Sequence, residues 1–214
     1  MKLAVYSGKG GDGKTPIATN IALDREYAIG TNEHFHVFDS FIPEERLLAL
    51  TGDESFPLIP DDIDIVFDLA GSISARSLSI NSALEQSDLV IVPISNEVKA
   101  LVAGIGTIRE VMSITKKILV VATKLEKGRK EVFTHDWTQS EEFKNVRDSV
   151  VNAVGQLPVL PLKYSKVFNA IFEREMSIKQ LMACDPLAKY NYRDVSDQFE
   201  EIYKYIDGVK TNAK

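Results

Sequence analysis

Short apolar runs alternate with longer stretches of helical periodicity along the whole chain. The apolar runs are rich in Val, Ile and Leu, and several lack the alternation of a strand with one face in water. Runs of this kind indicate strands that are buried on both faces, as in a parallel sheet. The predicted strands are Leu3–Tyr6, Phe35–Phe38, Ile63–Phe67, Leu89–Pro93, Ile118–Ala122 and Leu157–Leu160.

The stretches between the strands predict helices over Ile17–Tyr27, Ala75–Gln86, Val98–Ser113, Phe143–Val154, Ser165–Met182 and Tyr192–Ile206. Residues 124–138 have no clear period and predict a loop or a short exposed helix. Strands that alternate with helices are typical of βαβ units. We therefore expect an α/β fold, a doubly wound, mostly parallel sheet with helices on both faces, in a single domain spanning residues 1–214.

Composition and charge narrow the class of protein. Of 214 residues, 44% are hydrophobic and 26% are charged, as in soluble globular proteins. The net charge of −6 argues against wholesale wrapping of nucleic acid. The only cysteine, Cys184, excludes an internal disulfide and cysteine-built metal sites, and it predicts a reducing cytoplasm. No apolar run approaches the roughly 20 residues of a membrane span.

The first predicted strand leads directly into a glycine-rich loop. Gly8, Gly13, Lys14 and Thr15 match G-x-x-x-x-G-K-[ST] between a strand and a helix, which is the context a phosphate loop requires. Backbone N–H groups of such a loop surround phosphate oxygens, and the helix N-terminus adds partial positive charge. We expect Lys14 to contact the β- and γ-phosphates of ATP and Thr15 to hold Mg²⁺. The predicted nucleotide-binding residues of the loop are Gly8, Lys9, Gly10, Gly11, Asp12, Gly13, Lys14, Thr15 and Pro16.

A second carboxylate belongs to the same predicted site. Asp68 ends an apolar strand, which is the Walker B arrangement. The carboxyl ends of parallel strands lie at one edge of the sheet, so Asp68 is expected to face the Mg²⁺ held by Thr15.

The loop also carries an early second lysine, Lys9. Lys9-Gly10-Gly11-Asp12-Gly13-Lys14-Thr15 resembles the deviant Walker A loop of the ParA/MinD family of P-loop ATPases, in which that lysine is the signature residue. Asn20-Ile21-Ala22-Leu23 stands where the family has Asn-Leu-Ala. Asp68-Leu69-Ala70-Gly71-Ser72 is similar to the switch II loop of the small ParF-type plasmid partition ATPases.

The resemblance implies an ATP-dependent homodimer that positions DNA or another cargo, with a small DNA-binding adaptor or other cargo protein as partner. In such a dimer Lys9 of one subunit reaches the phosphates bound by the other. The resemblance also places Lys124 and Pro161 beside the adenine base. It implies catalytic roles for Lys9, Lys14, Asp39 and Asp68, and metal-binding roles for Thr15, Asp39 and Asp68.

Two positions depart from the family pattern. The family has Asp-x-Asp after its second strand, and here Asp39 fits the first carboxylate while Phe41 replaces the second. A phenyl ring cannot orient the attacking water, so we expect slow hydrolysis unless Glu44 or Glu45 substitutes. Pro16 replaces a threonine and removes one backbone donor from the loop.

Other functions stay open from the sequence. Phe41 would also suit a scaffold that binds nucleotide without hydrolysing it, and a metabolic enzyme of the dethiobiotin-synthetase type uses the same loop. The acidic C-terminal segment argues against membrane binding. Two basic groups could contact DNA nonspecifically or form only a solvated face: Lys116, Lys117, Lys124, Lys127, Arg129 and Lys130, and Lys163, Lys166, Arg174 and Lys179.

Overall fold

A single parallel sheet organises the computed structural model, which describes residues 1–50, 54–71 and 78–212. In these parts of the chain the strands are β1 Lys2–Val5, β2 Ala28–Thr31, β3 Leu47–Ala49, β4 Ile65–Asp68, β5 Leu89–Ser95, β6 Ile118–Leu125 and β7 Val159–Lys163. They are ordered β3-β2-β4-β1-β5-β6-β7, and every neighbouring pair is parallel. The predicted α/β class is confirmed.

Helices cover both faces of the sheet. Their bounds are α1 Lys14–Arg25, α2 Leu78–Gln86, α3 Val98–Met112, α4 Glu141–Val154, α5 Val167–Arg174, α6 Ile178–Cys184, α7 Pro186–Asn191 and α8 Arg193–Asn212. Side chains of β1 alternate between two cores, as the strand period requires. Leu3 and Val5 join the core under α1, α5, α6 and α8, whereas Ala4 and Tyr6 join the core under α2, α3 and α4.

The predicted strand at Phe35–Phe38 is wrong, because β2 lies earlier, at Ala28–Thr31. Gly30 made this short segment a poor strand candidate. It is required there, since a Cβ on Gly30 would lie 2.5 Å from Cδ1 of Phe67 on β4. Phe38 is buried in the core from a 3₁₀ turn, and Phe35 is 90% exposed, so neither pairs in the sheet.

The predicted long helix over 165–182 is two helices. Glu175, with φ of 56°, ends α5 in the left-handed region. Ser177 then begins α6 with a capping box, in which its hydroxyl accepts from the Gln180 N–H and the Gln180 side chain accepts from the Ser177 N–H. The predicted helix start at 75–77 and Ser72 lie outside the described residues. Of residues 124–138, the first two belong to the end of β6, and residues 126–136 form a loop that leads into a 3₁₀ turn at Trp137–Gln139.

Asn20 fixes α1 against the C-terminal helices. Its amide nitrogen donates to the Tyr203 hydroxyl at 3.0 Å, and its amide oxygen accepts from the Ile178 N–H at 2.8 Å. Both contacts are buried, where an unmade hydrogen bond is costly. Asn20 therefore positions α1, and with it the loop that precedes this helix.

Candidate functional site

The glycine-rich loop lies between β1 and α1, at the carboxyl edge of the sheet. Gly11 and Gly13 have φ of 86° and 92°, a left-handed backbone that glycine adopts without strain. Because α1 begins at Lys14, its first N–H groups and its partial positive charge lie at the loop. Pro16 lies in the first turn, where a missing N–H removes no intrahelical bond. The backbone is therefore arranged to bind an anion.

The two loop lysines have different environments. Lys14 is 5% exposed, and its Nζ donates to the Lys9 carbonyl at 3.3 Å. The Lys9 side chain is more exposed, with Nζ 3.0 Å from Glu97 Oε2 and 3.7 Å from Asp12 Oδ1. The hydrogen bond to Glu97 is the main reason that the pKa of Lys9 is raised. Lys9 is thus an ammonium ion held by acidic groups of its own chain.

Asp12 is a carboxylate buried within the loop itself. It is 1% exposed and accepts hydrogen bonds from the Ser7 hydroxyl at 3.3 Å and the Ser95 hydroxyl at 3.2 Å. The Thr123 hydroxyl donates to its backbone carbonyl at 3.0 Å. These contacts tie the loop to β5 and β6 and satisfy the buried charge.

Asp68 ends β4, next to β1, and pairs in register with Val5. The residue is fully buried, and neither carboxylate oxygen has a hydrogen-bond donor in the described part of the chain. Burial raises the pKa of Asp68 to about 7; the Thr15 hydroxyl and Lys14 lower it, and Glu33 raises it further. A buried carboxylate that accepts no hydrogen bond is suited to binding a cation.

Part of the loop, including Lys14 and Thr15, lines a cavity of about 530 Å³, whereas Asp68 does not belong to its lining. One wall is the loop and another is the segment after β7, where apolar side chains lie beside a carboxamide. The cavity is lined by Gly10, Gly11, Gly13, Lys14, Thr15, Pro16, Ile17, Glu33, Ala70, Gly71, Thr123, Lys124, Leu162, Tyr164, Ser165, Phe168 and Asn169.

Three loop residues of the predicted set do not line this cavity. The Gly8 N–H donates to the Thr107 hydroxyl at 3.0 Å, and the carboxylate of Asp12 points to Ser7 and Ser95. The Lys9 side chain lies towards Glu97. Gly8 and Asp12 therefore stabilise the conformation of the loop through contacts outside the cavity.

The structure does not bring Asp39 to the cavity. Asp39 is exposed in a 3₁₀ turn, with Oδ2 3.8 Å from His36 Nδ1. Phe41 packs on the core against Phe38 and Phe172, with ring centroids 6.1 and 6.4 Å away. Because the second strand was predicted too late in the sequence, Asp39 and Phe41 were assigned to positions that follow the true end of β2 by several residues. Glu44 and Glu45 are exposed and also lie outside the lining.

Glu33 is the carboxylate that the sequence reasoning missed. It follows β2 by two residues, lines the cavity and contributes to the raised pKa of Asp68. Its neighbour Asn32 accepts from the Ala70 N–H at 2.8 Å, which ties this segment to the loop after β4. The polar run Thr31-Asn32-Glu33, after an apolar stretch, was the available indication of a strand end.

The two residues expected beside the adenine base, Lys124 and Pro161, line different cavities. Lys124 lines the cavity with φ of 55°, at a bulge in the β6–β7 pairing. Pro161 instead lines a second cavity with Leu160. Leu162, the next residue of β7, lines the first cavity instead.

The second basic group is not a free patch. Lys163 lies 3.5 Å from Asp194, and Lys179 pairs with Asp24 and Glu200 at 3.5 and 2.8 Å. Three of the six members of the first group, Lys127, Arg129 and Lys130, lie in the loop after β6, and all six are exposed. Among the described helices, none combines the length and apolar character that crossing a membrane requires.

Comparisons with known proteins support the fold. The sequence matches no protein-family model and no curated protein. Solved structures match over nearly the whole chain. An Asp-to-Ala variant of McdA from Cyanothece, in complex with ATP, has a TM-score of 0.66 at 14% identity and covers 97% of this chain and 96% of its own.

Two further nucleotide complexes are similar. MinD from Pyrococcus horikoshii with Mg-ADP has a TM-score of 0.56 at 12% identity, covering 94% of this chain and 96% of its own. A Borrelia burgdorferi protein named for plasmid partition, bound to AMPPNP, has a TM-score of 0.55 at 13% identity, covering 93% and 98%. At sequence identities this low, the structural similarity establishes only the architecture of the chain. The chain has the fold shared by McdA, MinD and ParA-like partition ATPases.

Proposed function

We propose that this chain is a deviant Walker A ATPase of the ParA/MinD family, an ATP-dependent dimerising switch that positions DNA or another cargo and hydrolyses ATP slowly. One observation carries the proposal. Lys14 and Thr15 of the loop and Glu33 after β2 line the same cavity, and Asp68, at the end of β4, lies close enough to all three for them to shift its pKa.

The cavity offers separate environments for phosphate and base. Lys14 Nζ has only a long contact with a carbonyl, which it can exchange for a phosphate oxygen. The loop N–H groups and the α1 N-terminus face the same space. At the other end, Leu162, Phe168 and Asn169 combine apolar walls with a carboxamide, which suits a purine base.

Asp68 and Thr15 fit a magnesium ion. The carboxylate is buried without a donor, and the Thr15 hydroxyl lies close enough to lower its pKa. A hard cation takes oxygen ligands of this type. When bound, Mg²⁺ would neutralise charge that develops on the phosphates.

Glu33 is proposed to orient the attacking water, in place of the carboxylate first sought at position 41. It lines the cavity next to the metal residues, whereas Phe41 lies in the core. Slow turnover is still expected, because of the contacts of Lys9 and not because of Phe41. Lys9 is held by Glu97 and Asp12 of its own chain, so completing the site from a partner subunit requires these contacts to break.

The dimer face is proposed to lie along α3. Val98 and Val102 are 78% and 69% exposed, one turn apart, and follow Glu97 directly. Exposed apolar side chains at helical spacing suit an interface. This face adjoins the loop, since Gly8 donates to Thr107 of α3 and Lys9 contacts Glu97.

Light scattering with calorimetry tests the switch. With ATP, wild type should form a dimer, and with ADP it should be monomeric. Lys14→Ala should lose ATP affinity, because the charge aimed at the β- and γ-phosphates is gone. Lys9→Ala should bind ATP and stay monomeric, whereas Lys99→Ala, an exposed lysine on the same helix as the proposed face, should dimerise normally. Equal dimerisation of Lys9→Ala and wild type would remove the proposed trans contact.

ATP turnover measured with and without DNA separates the classes of function. A positioning switch is stimulated by DNA or an adaptor, a scaffold shows no turnover, and a metabolic enzyme needs a small co-substrate. We propose that the ATP dimer binds DNA nonspecifically through the loop after β6, because dimerisation doubles the number of phosphate contacts. Reversal of Lys127, Arg129 and Lys130 to Glu should abolish a gel shift but keep ATP binding. A shift unchanged by those reversals would contradict this assignment.

A further inference from the structure

A second cavity, of about 340 Å³, lies between β7, the 3₁₀ turn at Trp137–Gln139 and α8. It shares no lining residue with the nucleotide cavity. Its apolar lining comes from Trp137, Leu160 and Pro161. Its polar lining is dominated by the carboxylates of Asp136, Asp194, Asp197 and Glu201.

The innermost carboxylate has partners within the chain. Asp194 lies 2.7 Å from His135 Nδ1, accepts from Trp137 Nε1 at 3.0 Å and lies 3.5 Å from Lys163 Nζ. Burial would raise the pKa of Asp194, but the hydrogen bonds from Trp137 and His135 and the charge of Lys163 hold it below the usual value. The carboxylate of Asp194 is therefore already balanced by partners in its own chain.

The outer carboxylates are available to a ligand. Asp197 and Glu201 are exposed one turn apart on α8. Their ion pairs, with Arg193 at 3.8 Å and Lys204 at 2.6 Å, are solvent-exposed contacts on the same helix, which contribute little. An incoming cation can replace these partners at small cost.

A buried amide donor in the same cavity lacks an acceptor. Gln198 is 7% exposed, and its Oε1 accepts from the Lys163 N–H at 3.0 Å. Its Nε2 has no hydrogen-bond partner in the described part of the chain. Buried donors are almost always paired, so this one is satisfied by a water molecule or by an acceptor that a ligand brings.

These two features together restrict the ligand. A metal ion would bring no acceptor for the amide donor, and in the described residues no group of three metal-ligating side chains exists. A peptide with a basic side chain supplies both a cation for the carboxylates and a carbonyl oxygen for the amide. We propose that this cavity binds an arginine- or lysine-bearing segment of a partner protein, with the cation at Asp197 and Glu201 and a backbone carbonyl at Gln198 Nε2.

Intrinsic fluorescence tests this proposal directly, because Trp137 is the only tryptophan in the chain and lines the cavity. The probe is acetyl-Gly-Arg-Gly-amide, and its matched control is acetyl-Gly-Gln-Gly-amide. The arginine peptide should produce a saturable change in emission, and the glutamine peptide should not. The double variant Asp197→Asn, Glu201→Gln should bind about tenfold more weakly. Glu200→Gln, on α8 but paired with Lys179 outside the cavity, should bind like wild type.

Guanidinium chloride at matched ionic strength tests the contribution of the amide, since it supplies the cation without a carbonyl. It should bind more weakly than the arginine peptide. Absence of a saturable change, an equal response to the glutamine peptide or to guanidinium, or an unchanged double variant would each overturn the proposal. None of these results depends on nucleotide, so they are independent of the proposed ATPase switch.

Discussion

Replacing Asp68 with asparagine should stabilise the metal-free protein. Asp68 is fully buried, no donor among residues 1–50, 54–71 and 78–212 contacts its oxygens, and burial raises its pKa to about 7 from an ordinary 3.8. Between these two pH values the folded chain holds a proton that the unfolded chain has lost. The free energy of unfolding therefore falls as pH rises through this window, and the loss is complete above about pH 7.

The raised pKa corresponds to about 4 kcal/mol. The asparagine side chain has the same shape without the charge, so Asp68→Asn should gain about 2 to 4 kcal/mol at about pH 8 and less than half of that near pH 5. Urea unfolding in EDTA measures both values. The matched control is Asp39→Asn, an exposed carboxylate whose removal should change stability by less than about 0.5 kcal/mol.

Adding Mg²⁺ and ATP should reverse the order of the two proteins. Ligand binding stabilises the folded state only where the site is intact, so wild type should gain stability and Asp68→Asn should gain much less. If Asp68→Asn destabilises the metal-free chain, or behaves like Asp39→Asn, the carboxylate is not an uncompensated charge and the metal assignment loses its physical basis.

Three further substitutions test the site and the switch. Glu33→Gln should lower ATP turnover by about 100-fold in a phosphate-release assay while nucleotide affinity is kept, and normal turnover of this variant would refute the water-orienting role. Phe41→Asp should lower the melting temperature without raising turnover. Glu97→Gln should release the loop lysine and lower the protein concentration needed for the ATP dimer by about two- to fivefold in light scattering; an unchanged midpoint would show that this ion pair is no restraint. Val102→Glu should abolish the dimer, and Val132→Glu, at a position 98% exposed, should not; equal effects would remove α3 from the interface.

The loop and the central strands could be predicted because their chemistry is local. A phosphate loop needs glycines, a lysine and a hydroxyl at fixed spacing, and these residues stand together in the sequence. The strands around it are continuous apolar runs, which few other structures use. Lys14, Thr15 and Lys124 line the cavity, and Asp68 ends the strand β4 that neighbours β1.

The second strand could not be predicted, because tertiary packing decides it. Gly30 is a poor strand former in isolation, and only the ring of Phe67 on β4 explains why a small residue is needed there. That error displaced the search for switch carboxylates from Glu33 to Asp39 and Phe41. Pro161 lies one residue before Leu162, the residue of β7 that lines the nucleotide cavity, and the sequence does not fix which residue of this edge strand meets the cavity.

Asp12 gives the loop an anion of its own. This buried carboxylate and Glu97 both lie within ion-pair distance of Lys9, at 3.7 and 3.0 Å from its Nζ. In the proposed ATP dimer, the transfer of Lys9 to phosphates bound by the partner subunit would therefore be an exchange of counter-ions. The proposed switch is then set by the difference in free energy between two ion-paired states, and ATP or a partner shifts the population only through that difference.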